Sequence, residues 1–109
     1  MSSIATKFDN VTAIAKANVY FDGKVVSHAI FLQNGAKKTM GLIFPGKYRF
    51  GTDKAERMEI IAGRCAVKID GHEHTTFHPL GTAFEVAPKS GFEIEVPSGI
   101  CEYICSFID

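Results

Sequence analysis

Residues 46–63 read G-K-Y-R-F-G-T-D-K-A-E-R-M-E-I-I-A-G, and this stretch decides the fold. Tyr48, Phe50 and Thr52 alternate with other residues, so in a β-strand their side chains share one face. A loop follows, and the apolar residues from Met58 onward alternate again until the next glycine. The stretch therefore predicts two short strands, each of which buries one face.

The rest of the chain repeats this pattern of short alternating runs. Asp22-Gly23, Asn34-Gly35 and Asp70-Gly71 are turn pairs between β-type runs. About nine or ten strands at roughly 8–12-residue spacing are typical of a sandwich or barrel, and no segment keeps a helical period over three turns. We predict an all-β single domain with a barrel at 18–109. Residues 1–17 form an arm, in which a strand and a loose helical turn both fit the sequence.

The composition narrows the classes of function. The 109 residues fit one domain, and 46% apolar residues are enough for a core. Twelve basic and twelve acidic residues cancel, which gives no electrostatic case for nucleic acid or a membrane surface. No run of 18 apolar residues or secretory signal pattern is present, and three cysteines suit a reducing cytoplasm. Cys65 and Cys105 are predicted to be buried small hydrophobes. A domain this short leaves a large share of its surface exposed, so it often pairs with a copy of itself.

A second stretch, G-T-A-F-E-V-A-P-K-S-G-F at 81–92, follows the first at a spacing that resembles the two cupin motifs. In metal-binding cupins the first motif carries two histidines before a glutamate, and the second carries one histidine near its end. Phe50, Thr52 and Phe92 stand at those positions here, and Glu56 alone matches a ligand position. The resemblance implies a cupin (RmlC-like jelly-roll) β-barrel whose cavity works without a metal or other cofactor.

The run from Asn18 to Phe107 resembles a more specific family. N-V-Y-F-D-G-K-V, K-K-T-M-G, P-G-K-Y-R-F-G-T, E-x-M-E-I-I-A-G, F-E-V-x-x-x-S-x-F and Y-I-C-S-F are similar to the small pyrimidine/purine nucleoside phosphorylases. The resemblance implies a cytoplasmic homodimer that cleaves many nucleosides with phosphate to the free base and α-D-ribose 1-phosphate. Ala87-Pro88 departs from the cupin pattern, which places its proline one residue earlier, so the path of the 87–91 loop stays open.

Such a reaction needs groups that bind ribose, phosphate and base. Phosphate attacks the anomeric carbon as the base leaves, through an oxocarbenium-like state that a carboxylate can stabilise. If Glu56 points inward like its cupin counterpart, we expect it to bind ribose, with hydroxyl contacts from Thr52 and Ser90. Glu56 could instead be a solvated residue at a strand start, Thr52 could close a loop, and Ser90 could be a turn residue.

Aromatic residues and cations complete the predicted site. Tyr48, Phe50 and Phe92 would form the wall that holds the base, because stacking tolerates any flat base. The candidate phosphate-binding cations are Lys38, Arg49 and Lys89. The alternative is that the aromatic alternation is core packing and that the lysines are solvated surface charges.

The histidines admit two interpretations. His72, His74 and His78 form H-E-H-x-x-x-H, and histidines separated by one residue can chelate a metal when they lie on one strand. The segment is polar throughout and follows Asp70-Gly71, so a solvent-facing strand fits it better. His28 is a candidate surface or interface residue, or an acid that helps the base to leave.

Two rivals to the enzyme remain on sequence grounds. The first is a non-catalytic barrel that binds a sugar or nucleotide, because the sequence shows no nucleophile–base pair or metal triad. The second is a metallocupin that uses Glu56 or the histidines at 72–78.

Overall fold

The structure is a computed structural model that describes residues 4–108. Those residues form β-strands and a 3₁₀ turn at Phe21–Gly23, with no α-helix among them. In chain order the strands are β1 (Thr12–Ala13), β2 (Asn18–Tyr20), β3 (Val25–Phe31), β4 (Lys37–Ile43), β5 (Gly46–Gly51), β6 (Ala55–Ala62), β7 (Arg64–Ile69), β8 (Thr76–Pro79), β9 (Ala83–Val86), β10 (Gly91–Val96) and β11 (Cys101–Ile108).

The strands form two antiparallel sheets. The first sheet has seven strands in the order β1-β3-β4-β11-β6-β9, with β2 also paired to β3. The second has four strands in the order β5-β10-β7-β8. No ladder joins the two sheets within the described residues, so the hydrogen bonds do not run around a closed barrel. The predicted all-β, cupin-like fold is confirmed, as a jelly roll of two sheets.

The core lies between the inward faces of the two sheets. Alternation places Ile60 and Cys101 of the first sheet opposite Val67 and Ile94 of the second, and all four are fully buried. Burying each aliphatic side chain contributes about 1.5–3 kcal/mol. Met58 also lies in this core, as predicted. All three cysteines are buried and free, which confirms the predicted burial of two of them.

The first sheet also buries apolar residues on its outer face. Ile30 and Ile104 alternate with inward-facing neighbours, yet each is only 1% exposed. The Ile14 N–H donates to the Ala29 carbonyl at 2.9 Å, and the Phe8 ring lies 6.0 Å from the Lys38 ammonium. The arm thus lies against this face between Phe8 and Ile14, and β1 gives it a strand at Thr12–Ala13 rather than a helical turn. Residues 1–3 of the arm lie outside the described residues. The division at residue 17 stays a prediction.

One turn and one strand differ from the sequence prediction. β2 and β3 form the expected hairpin, but four residues join them, not the pair Asp22-Gly23 alone. Phe21 and Asp22 both have left-handed backbones, with φ of 53° and 55°. A left-handed phenylalanine costs on the order of 1–2 kcal/mol, so the surrounding packing must hold this turn. The predicted strand through His72 and His74 is wrong, because β8 begins only at Thr76.

Within residues 4–108, no helix has the length and apolar character needed to span a bilayer.

Candidate functional site

A cavity of about 570 Å³ opens between the two sheets. The first sheet supplies a polar wall, and the second sheet supplies an aromatic one. A second cavity of about 450 Å³ adjoins it. Lys37, Glu56 and Phe107 line both cavities, so these three residues form their common boundary.

The boundary residues occupy three neighbouring strands. Phe107 of β11 is the register partner of Glu56 of β6. On the other side of β11, the Lys37 ammonium lies 5.5 Å from the centroid of the Phe107 ring. Because alternate residues of a strand face the same way, all three side chains point between the sheets. A cation and a carboxylate therefore flank one aromatic ring.

Cys105 and Thr39 extend the polar wall from the Glu56 carboxylate across neighbouring strands. Burial raises the pKa of the Glu56 carboxyl above its ordinary value, although a hydrogen bond from Cys105 opposes the shift. Burial also raises the pKa of the Cys105 thiol to about 12, so the thiol keeps its proton at neutral pH and donates to Glu56. Thr39, the register partner of Cys105 on β4, bonds to the thiol.

Deeper in the cavity a second polar group lies on the same wall. Asn18 donates through Nδ2 to the Ser27 hydroxyl at 3.3 Å, and Ser27 in turn bonds to Tyr103. Burial raises the pKa of the Tyr103 phenol to about 12. Gly41 makes room for this ring, since a Cβ there would lie 2.8 Å from the Tyr103 hydroxyl and 2.6 Å from the Val26 carbonyl oxygen.

The facing wall is a stack of aromatic rings. Phe50 and Phe92 lie on the neighbouring strands β5 and β10, with centroids 5.7 Å apart and planes inclined by 29°. Phe21 meets Phe50 edge-on at 5.5 Å, and Tyr20 does so at 6.4 Å. The structure thus brings together the predicted Phe50 and Phe92, and places both opposite Glu56 in the cavity lining.

Tyr48 has a different position from the one predicted. Its side chain is buried in the core, and its hydroxyl donates toward the carbonyl oxygens of Phe44 at 2.9 Å and Pro45 at 3.0 Å. Its ring touches Phe21 at a centroid distance of 5.0 Å, behind the cavity wall. Tyr48 therefore supports the aromatic wall and does not line the cavity.

Thr52 and Ser90 close a loop, the alternative that the sequence left open. Thr52 follows the last residue of β5, and its hydroxyl donates to the Ala87 carbonyl at 2.7 Å and accepts from the Ser90 N–H at 3.0 Å. The Thr52 N–H also donates to the Ser90 carbonyl at 2.9 Å. These bonds fix the path of the 87–90 loop and hold Thr52 and Ser90 outside the cavity lining.

The three predicted cations have other contacts. Lys38 lies on the outer face of β4 and donates to the Ser106 hydroxyl at 2.6 Å, so it is on the wrong face for the cavity. Arg49 reaches the cavity edge, but its guanidinium forms a two-point ion pair with Asp70, which lowers the pKa of that carboxyl. Lys89 has a left-handed backbone with φ of 51° in the exposed loop.

The histidines do not form a cluster. The described part of the chain contains no group of three or more His, Cys, Asp or Glu side chains arranged to hold a metal ion. His78 lies 2.8 Å through Nε2 from the Thr76 hydroxyl and packs on the Phe84 ring, and burial lowers its pKa. His28 lies 3.2 Å through Nδ1 from the Ile14 carbonyl, on the arm side of the first sheet.

Several cavity residues are not among those expected from the sequence, although the pattern of two strands indicates them. Lys37 and Thr39 share the parity of the buried Ile43 on β4. Tyr103 and Phe107 share the parity of Cys105 on β11. Assigning the inner face of each strand from its buried residues would have found these four.

Comparisons with known proteins identify the family of this chain. A family model described as pyrimidine/purine nucleoside phosphorylase matches residues 15–107. A protein of that name from Burkholderia ambifaria (strain MC40-6) is 48% identical over 104 residues, covering 95% of this chain and 97% of that protein. One from Leptospira interrogans serogroup Icterohaemorrhagiae serovar copenhageni is 50% identical over 103 residues, covering 94% and 96%.

Solved structures share the fold. A protein of unknown function from Acinetobacter sp. ADP1 superposes with a TM-score of 0.92 at 40% identity, covering 95% of this chain and 100% of that one. The Clostridium difficile EutQ protein superposes with a TM-score of 0.63 at 16% identity, covering 76% and 67%, which supports the fold alone. With the family model and both curated relatives in agreement, this chain belongs to the pyrimidine/purine nucleoside phosphorylase family.

Proposed function

We propose that this protein is a broad-specificity nucleoside phosphorylase, a pentosyltransferase that converts purine and pyrimidine nucleosides and phosphate to free base and α-D-ribose 1-phosphate. The observation that carries the proposal is the position of the Glu56 carboxylate, which faces the Phe50–Phe92 stack across one cavity. Family membership supplies the reaction class. The cavity, at about 570 Å³, falls in the usual range of small-molecule sites.

The aromatic wall is the proposed base site. Phe50 and Phe92 offer flat apolar faces, and each base has a π-face that can stack on them whatever its hydrogen-bonding groups. Stacking is worth about 1–3 kcal/mol per base and depends little on base identity. Tyr20 at the end of β2 and Phe21 in the left-handed turn extend the wall. This arrangement favours a wide range of nucleosides over a single one.

Glu56 is the proposed ribose-binding and catalytic group. As the glycosidic bond breaks, positive charge develops on the sugar ring, and a carboxylate in a partly dry site stabilises that charge more than water does. Cys105 holds the carboxylate by its hydrogen bond, and Thr39 supports the thiol. The role we propose for Thr52, Ser90 and Tyr48 is to hold the wall and the loop in place.

The reaction as proposed needs phosphate as a co-substrate and no metal cofactor. The positions that carry histidine in metal-binding cupins hold Phe50, Thr52 and Phe92, whose side chains offer no imidazole ligand. Elemental analysis of untagged protein, together with assays in a chelator, tests this point. A stoichiometric transition metal, or activity lost to the chelator, would favour a metallocupin.

The direct test is incubation of purified protein with inosine or uridine, with and without phosphate. Free base and ribose 1-phosphate should appear in equal amounts, and only when phosphate is present. Saturable nucleoside binding without turnover would instead indicate a binding protein. The cytoplasmic homodimer implied by the resemblance stays a prediction, and sedimentation analysis tests the dimer.

A further inference from the structure

We propose that the second cavity, on the far side of Glu56 from the aromatic wall, is the phosphate subsite and that Lys37 holds the anion there. This inference rests on the proposed function. The cavity measures about 450 Å³, ample for inorganic phosphate, and its lining includes Lys37 and Lys54. None of the cations expected from the sequence, Lys38, Arg49 or Lys89, lines it.

Lys37 is suited to the task by its position. It begins β4 on the inner face, and its ammonium lies 5.5 Å from the centroid of the Phe107 ring. A cation–π contact of this kind orients an ammonium without consuming its N–H donors. Lys37 can therefore donate charge-assisted hydrogen bonds to phosphate oxygens while the ring of Phe107 holds it beside Glu56.

The small residues next to Lys37 leave space for the anion. Gly35 and Ala36 precede Lys37 in the cavity lining, which Asp53 and Lys54 complete. Asp53 introduces a negative charge that opposes phosphate binding, which makes the charge on Lys37 more important. Removing the charge of Asp53 should therefore strengthen phosphate binding, whereas removing the charge of Lys37 should weaken it.

The order of the two cavities fits the stereochemistry of the reaction. In-line displacement requires phosphate to approach the anomeric carbon from the side opposite the base. The second cavity shares Glu56 with the first but not Phe50 or Phe92, so it offers phosphate a position beside the proposed ribose site and away from the base site.

The chemical step balances with hydrogen phosphate alone. An oxygen of hydrogen phosphate forms the new bond to the anomeric carbon as the carbon–nitrogen bond breaks. The electron pair of that bond goes to the base nitrogen, and the base takes up the proton that hydrogen phosphate gives up. The products are ribose 1-phosphate and the neutral base.

The test compares Lys37→Gln with Lys38→Gln in the full chain. Both variants lose one positive charge from neighbouring positions of β4, but Lys38 faces the outside. Lys37→Gln should raise the KM for phosphate about 10- to 100-fold, with the KM for nucleoside little changed. Lys38→Gln should leave both constants unchanged. Asp53→Asn should lower the KM for phosphate.

Calorimetric titration with inorganic phosphate separates this inference from the proposed function. Wild type and Lys38→Gln should bind phosphate, Lys37→Gln should bind it much more weakly, and Lys37→Arg should restore binding if Lys37→Gln proves unstable. Equal binding by wild type and Lys37→Gln overturns the subsite, even in an active enzyme. Phosphate binding that depends on Lys37, without phosphorolysis, retains the subsite and rejects the proposed reaction.

Discussion

Cys105 and Glu56 lie on the inner faces of neighbouring strands of the first sheet, and their interaction lowers the pKa of the carboxyl and raises the pKa of the thiol. The thiol holds its proton because burial raises its pKa to about 12. Burial raises the pKa of Glu56 too, and the thiol opposes that rise. The thiol therefore favours the ionised form of a partly buried carboxylate, the form needed beside a reaction that develops positive charge.

Replacing Glu56 should separate activity from stability. Glu56→Gln should lower kcat by about 10²–10³-fold, the usual loss when an electrostatic stabiliser of a transition state is removed. Steady-state phosphorolysis of uridine and inosine measures the change. Glu95→Gln, an exposed carboxylate on β10, is the matched control and should remain fully active. Full activity in Glu56→Gln would exclude Glu56 from the mechanism.

The same variant should be more stable than wild type at neutral pH. A folded-state pKa above the ordinary value means that protonated Glu56 favours folding below the unfolded pKa, and that this contribution is lost as pH rises through the folded pKa. Glutamine removes the cost of the buried charge. Thermal melting should show a higher Tm for Glu56→Gln at pH 7, with the advantage shrinking toward pH 4. A lower Tm at pH 7 would contradict the direction of the shift.

Activity should fall on the acid side at a pH above the ordinary pKa of a glutamate. The pKa of Glu56 is raised, so its carboxylate takes up a proton at a higher pH than an exposed glutamate does. Cys105→Ala removes the opposing hydrogen bond and should move the acid limb of the kcat/KM profile further upward. Cys65→Ala, at another buried free cysteine, is the control and should leave that limb in place. Coincident limbs in all three proteins would contradict the pairing.

Removing a ring from the aromatic wall should weaken nucleoside binding without changing base preference. Phe50→Leu should raise the KM for uridine and inosine to a similar extent, about tenfold or more, because stacking contributes about 1–3 kcal/mol per base. Phe77→Leu, at a ring that is 62% exposed on β8, should have no effect. A loss confined to one class of base would indicate hydrogen-bond recognition in place of stacking.

Thr52 should contribute to stability and not to substrate binding. Thr52→Val removes the hydroxyl that bonds to Ala87 and Ser90, which should lower the free energy of unfolding by about 1–3 kcal/mol. The KM for nucleoside should stay close to wild type. Chemical denaturation and steady-state kinetics measure the two effects, and Thr75→Ala at an exposed position is the control. A large change in KM with intact stability would return Thr52 to the binding site.

The alternation in the sequence predicts the inward positions of Phe50, Phe92 and Glu56, but it does not predict which lysine of β4 faces the cavity. Phe50, Phe92 and Glu56 lie in runs whose alternation identifies one inner face. The alternation in β4 does not identify an inner face, because the outer face of the first sheet also buries apolar residues such as Ile30 and Ile104. Alternation along β4 alone therefore does not distinguish Lys37 from Lys38, whereas the burial of Ile43 places Lys37 on the inner face.

Two other differences arise from local backbone geometry. Phe21 lines the cavity with a left-handed backbone, which residue type disfavours and therefore cannot predict. Tyr20 lines it through the ordinary alternation of β2 with Asn18. Thr52 continues the alternation of Tyr48 and Phe50 in the sequence, but β5 ends at Gly51. A pattern with a period of two carries no information beyond the end of its strand.

The carboxylate and the aromatic stack belong to different sheets, and between residues 4 and 108 no ladder of backbone bonds connects those sheets. The distance between the Glu56 carboxylate and the Phe50–Phe92 stack is consequently set by the thickness of the apolar core between the two sheets. Exchanging Val67 or Ile94 for a bulkier or slimmer residue, well away from any bound sugar, offers a way to widen or narrow the slot and so to retune which nucleosides are accepted.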